Sequence, residues 1–113
     1  MNDQLLHKRQ NIQWLLNAER LRQLDLQREG RFQYTCSDPE LSPAERLAVL
    51  TEEVGEVARH VNDHTDHSVD CQSELIQVAA VCLAWLESYN NYERQDHGRV
   101  SLSDYGKIND QRT

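Results

Sequence analysis

The sequence predicts an all-α fold: an antiparallel helical bundle of three main helices plus a short C-terminal helical turn, completed by oligomerisation. Three observations carry this. Asp3 to Arg28 runs without Pro or Gly and is rich in helix formers. A capped helix start at Ser42-Pro43 leads into apolar residues at helical spacing. A third stretch, 75–86, is apolar save for Gln77, as a central bundle helix would be. With 113 residues the chain reads as a single domain, 1–113.

The first helix is expected over about 3–29. Leu5, Ile12, Leu15 and Leu16 share one face, while Trp14, Ala18 and Leu21 lie nearly opposite. A helix with two apolar faces touches two neighbours, one of them in another subunit, or leaves its second face loosely packed. Gly30 ends it as a C-terminal cap. The segment Arg31 to Leu41 reads as an ordered loop broken at Asp38-Pro39. Its aromatics, Phe32 and Tyr34, anchor the loop to the core or pack over a bound base, anchoring being the plainer reading.

The second helix, about 43–62, has the clearest start. Ser42 is the N-cap, Pro43 the first helical residue, and Glu45 completes a capping box. Leu47, Leu50, Val54, Val57, Ala58 and Val61 then keep helical spacing. Gly55 costs helix propensity and would let a neighbouring helix or ligand come close. Asp63 to Gln72 reads as a polar, irregular linker with solvated histidines, His64 and His67; the alternative is a transition-metal series of His60, His64 and His67, which requires the segment to stay helical. The third helix is expected over about 73–90, followed by a polar tail, 91–113, with a possible turn near 102–108.

The formal net charge is −7 with a pI near 5.1, which argues against nucleic acid or an anionic membrane as partner. Cys36, Cys71 and Cys82 follow no metal-binding or CxxC spacing and read as reduced thiols. The N-terminus lacks the apolar core of a signal peptide, and the run Val78 to Leu86 is short for a membrane span. A soluble, cytoplasmic protein is expected.

Chemistry concentrates in the second helix. At about 100° per residue, Glu53, Glu56 and His60 fall along the edge of the apolar stripe, with Glu52 further round. Like charges bunched beside a core destabilise one another unless a cation sits among them. Two helices joined by a short connection lie antiparallel, so Glu53 and Glu56 should face Glu74 and Gln77. Paired i,i+3 oxygen donors on facing helices suit a hard octahedral cation such as Mg²⁺ or Mn²⁺. Such a pocket favours metal-assisted hydrolysis.

Glu53-x-x-Glu56, a spacer of seventeen residues, then Glu74-x-x-Gln77 resembles the Glu-x-x-Glu…Glu-x-x-Asp signature of the MazG-like, all-α nucleoside triphosphate pyrophosphohydrolases. The wording around it, Leu50-Thr-Glu-Glu-Val-Gly-Glu-Val-Ala-Arg59 and Glu74-Leu-Ile-Gln-Val-Ala-Ala-Val-Cys-Leu-Ala-Trp-Leu-Glu87, is similar too. The resemblance covers roughly residues 20 to 90. It implies a dimeric or tetrameric bundle that cleaves a nucleoside triphosphate between its α- and β-phosphates with Mg²⁺, giving monophosphate and pyrophosphate. It implies metal ligation by Glu53, Glu56 and Glu74, and a catalytic role for Glu52 and Glu53 in orienting the attacking water. Gln77 departs from the signature: it stands where the family has Asp and offers a neutral carbonyl oxygen. No motif marks the residues that bind base or sugar. The alternative is a non-catalytic helical module that binds metal or nucleotide for regulation or assembly.

Overall fold

In the computed structural model, residues 2–89 are described, and they form three α-helices with no strand among them. The expected polar tail, its turn near 102–108 and the last residue of the expected third helix lie outside the described residues.

The first helix, α1 (Asp3–Arg28), begins where the Asn2 side chain accepts the backbone N–H of Leu5 at 2.8 Å, relieving one of the unpaired donors at a helix start. It ends as expected at Gly30, whose φ of 78° only glycine adopts without strain. There the Arg31 N–H returns to the Leu26 carbonyl and the Gly30 N–H to that of Gln27, a Schellman closure. Residues 2–15 are exposed along their whole length.

The second helix, α2 (Pro43–Asn62), carries the full capping box: the Glu45 N–H donates to Ser42 Oγ at 3.1 Å, and the Ser42 N–H to Glu45 Oε1 at 3.0 Å. Its C-terminus closes by the same Schellman pattern, with His64 at φ 59° in the position glycine usually takes.

The third helix, α3 (Val69–Glu87), starts four residues earlier than the apolar pattern indicates. Ser68 is its N-cap, accepting from the Cys71 N–H at 3.0 Å. The acid Asp70 sits in the first turn, where the helix dipole favours it. The connection between α2 and α3 is therefore only Asp63–Ser68. The early start was hidden because Val69 is exposed and the residues around it are polar, while Cys71, the largest fully buried side chain, gives only one apolar cue.

The helix α3 packs against both α1 and α2, which do not pack against each other. By length and composition α3 is also apolar enough to cross a membrane. The core is small. Cys36, Val81 and Ala84 form its centre, with Val49, Leu50 and Trp85 partly buried against them.

Segment 31–41 is ordered by polar contacts and three buried residues, Thr35, Cys36 and Leu41. Arg46, itself buried, reaches back from α2 to donate to the carbonyls of Cys36 at 2.9 Å and Asp38 at 2.6 Å. The Asp38 carboxylate accepts from the Thr35 N–H and from Gln27 Nε2, both at 3.0 Å. Phe32 and Tyr34 are 38% and 44% exposed, partly covered and not among the buried residues of this loop.

Candidate functional site

Glu53 projects from α2 on the side that α3 covers, because Val49 and Leu50 one turn earlier are drawn to the core around Val81 and Ala84. Glu74 lies in the second turn of α3, beyond the Ser68 cap. The helix contact brings these two carboxyls within hydrogen-bonding reach of each other. Burial, first, and then the bond to Glu74 and the negative charges of Glu74, Glu52 and Glu56 push the Glu53 carboxyl up to about 7. Glu74 Oε2 is buried with no hydrogen-bond partner among the described residues. Two acids forced together in this way hold a proton between them or call for a cation.

The other two acids stand further out. Glu52 is exposed, and Glu56 is turned along its own helix to Arg59, whose NH2 lies 2.9 Å from Glu56 Oε2. The charge of Arg59 is favoured by that hydrogen bond and, more weakly, by the fields of Glu56, Asp63 and Glu74. Among the described residues, no three His, Cys, Asp or Glu side chains converge as a metal-holding group. Glu53 and Glu74 are in contact, with Glu52 and Glu56 near enough to act on Glu53 through charge.

Gln77 is half-buried. With Glu53 it lines a cleft of about 210 Å³, whose walls include Arg22, Gln23, Phe32 and Tyr34. The cleft floor is apolar, from Val49, Val81 and Ala84. Arg22 is clamped by Glu19, its Nε and NH2 donating at 2.7–2.9 Å. That hydrogen bond, before anything else, holds the guanidinium above its ordinary pKa.

Two expectations about the surroundings change. His60 is buried, but its Nδ1 pairs with Thr65 Oγ1 at 2.9 Å within the α2 C-terminal closure, so its ring serves the helix end. Nothing lies within 4 Å of where a Cβ on Gly55 would stand, so no described residue uses that gap. Sequence reasoning missed Arg22 and Gln23 as cleft residues. The i,i+3 pairing of Glu19 with Arg22 was readable, but nothing in the spacing said that this face of α1 would meet Glu53.

No protein-family model matches the chain, and no curated protein or solved structure matches it either. The MazG-like resemblance therefore rests on its motif residues and their spacing.

Proposed function

We propose that this chain is a Mg²⁺-dependent nucleoside triphosphate pyrophosphohydrolase of the MazG-like kind. In this reading it hydrolyses NTPs or dNTPs to monophosphate and pyrophosphate as a housekeeping enzyme of the cytoplasm. It works as a homodimer or homotetramer whose subunits complete the bundle, with α3 as the core helix of each. The single observation that carries the reading is the Glu53–Glu74 carboxyl contact at the edge of the cleft.

The donor chemistry fits a hard divalent cation. Two carboxyls pressed together, a buried Glu74 oxygen without a partner, and two more acids beside them offer oxygen ligands and excess negative charge. Glu53, Glu56 and Glu74 would hold the cation, with Glu52 alongside; Mn²⁺ could substitute for Mg²⁺. When bound, it neutralises phosphate charge and polarises the phosphoryl oxygens.

The chain's residues account for the remaining steps. Glu56 must leave Arg59, a small cost, because the pair is largely exposed and solvent screens its attraction. Glu52 or Glu53, ionised, accepts a proton from the water that attacks the α-phosphorus. The bond from that phosphorus to the α–β bridging oxygen breaks, and pyrophosphate departs. The cleft beside Glu53 holds the non-phosphate end of the substrate and fixes its reach.

A second reading is favoured by the lack of a converged acidic group among the described residues: a non-catalytic module that binds metal or nucleotide. Phosphorus NMR of a triphosphate panel with Mg²⁺ separates the two. The enzyme reading requires monophosphate and pyrophosphate to appear. Unchanged triphosphate, with heat of binding in calorimetry, selects the module.

A further inference from the structure

Gln77 lines the cleft, and its amide has no hydrogen-bond partner among the described residues. Neither amide atom of Gln77 is a buried atom left without a partner, so the amide stays open to a group that enters the cleft. Gln23 stands in the same cleft with its orientation already set. Arg20 NH1 donates to Gln23 Oε1 at 2.8 Å. Arginine has only donors, so the glutamine oxygen must face it and the Nε2 amine turns away.

Arg20 is itself immobilised. It is buried at 4% exposure and donates to Glu87 at 2.6 and 3.2 Å and to Ser37 at 3.2 Å. Thr35, also in the cleft wall, is already committed through Oγ1 to Ser37 and through its N–H to Asp38. Beside the charged side chains of Arg22 and Glu53, the cleft wall carries two amides: Gln23, whose oxygen is taken by Arg20, and Gln77, able to offer either donor or acceptor. The half-exposed rings of Phe32 and Tyr34 border it. Its 210 Å³ is below the roughly 300–1,000 Å³ of sites that enclose a whole drug-sized ligand, so it takes part of a ligand.

A planar, neutral heteroaromatic ring with mixed donors and acceptors on its edge meets all of these demands. We propose that Gln23 and Gln77 read the edge of a nucleobase in this cleft, and that Gln77 is a specificity-determining residue and not a metal ligand. The inference rests on the nucleotide reading above and deepens it. An aspartate at 77 would add a negative charge to the four acids nearby; a glutamine adds none and keeps both hydrogen-bonding senses.

The test uses nucleosides, which carry no phosphate, and the full chain without metal. Proton–nitrogen correlation NMR follows the side-chain amides of Gln23 and Gln77 while uridine, cytidine, adenosine and guanosine are titrated separately. The expected result is saturable movement of both amides with at least one nucleoside. A Gln77→Leu variant should weaken that nucleoside by about tenfold or more, as sites built to hydrogen-bond lose their selectivity when the partner goes. Mg²⁺ titrated alone should leave the Gln77 amide in place and bind the variant as it binds the parent. The same spectra report whether the variant is folded; Gln77→Met replaces it if not. Amides unmoved by every nucleoside would overturn the proposal, as would weakened Mg²⁺ binding in a folded variant. Failure of triphosphate hydrolysis is a separate result: it removes the proposed activity and leaves nucleoside binding to decide this point.

Discussion

Glu53 pays for its position in proton affinity. Its carboxyl is held at about 7 against an ordinary 4.5, by burial first and then by Glu74, Glu52 and Glu56. Between those values the folded chain holds more proton than the unfolded one, so stability declines as pH rises through that window. Urea titrations without divalent ions should show the midpoint falling from about pH 4.5 to 7 and then levelling. Glu53→Gln removes the charge and should flatten that decline. Mg²⁺ should restore stability to the parent on the alkaline side and less to the variant. A second residue-scale test lies at His64, whose φ of 59° is left-handed. His64→Gly should stabilise the chain by about 0.5–1 kcal/mol in urea unfolding, since only glycine takes that region freely.

At the scale of elements, the helix ends say most about what the sequence could and could not disclose. Ser42-Pro43 and Gly30 were legible because capping chemistry is local: a hydroxyl, a fixed φ and a missing Cβ act within a few residues. Ser68 uses the same chemistry, yet it stands among histidines and aspartates that resemble a solvated linker. Its role depends on Cys71 being buried by distant residues. Ser68→Ala should therefore cost about 1 kcal/mol of stability, as loss of an N-cap does. Gly55 gives the opposite expectation. With open space around it, Gly55→Ala should stabilise α2 by about 1 kcal/mol. Loss of activity without loss of stability in that variant would show a ligand or second subunit using the gap. The candidate acids followed the same division. Their i,i+3 spacing was readable within each helix, and a short connection set α2 against α3. Which side of α1 closes the cleft depends on a loop held by Arg46 and Arg20, and no local pattern encodes that.

For the molecule as a whole, the disproportion is between core and surface. Trp14 is 70% exposed and Val69 79%, while among the described residues the central cluster is Cys36, Val81 and Ala84. Between α1 and α3 runs a groove of about 720 Å³, lined by Ile12, Leu15, Ala18, Val69, Leu75 and Ile76. In the proposed oligomer this apolar groove would be a contact face between subunits. Sedimentation should then show a dimer or tetramer, with a melting temperature that rises with protein concentration. Leu15→Glu should shift the species toward monomer and lower that temperature. A monomeric parent with a concentration-independent melt contradicts this part of the account.

The central claim is that the Glu53–Glu74 pair serves Mg²⁺-dependent pyrophosphate release. The most direct measurement is pyrophosphate formed from each nucleoside triphosphate by the purified chain, with and without Mg²⁺, beside folded Glu53→Gln. The account predicts Mg²⁺-dependent release from at least one triphosphate and a fall of roughly a hundredfold or more in the variant, the scale of a lost acid–base group. No release from any triphosphate, or release that the variant matches, contradicts it.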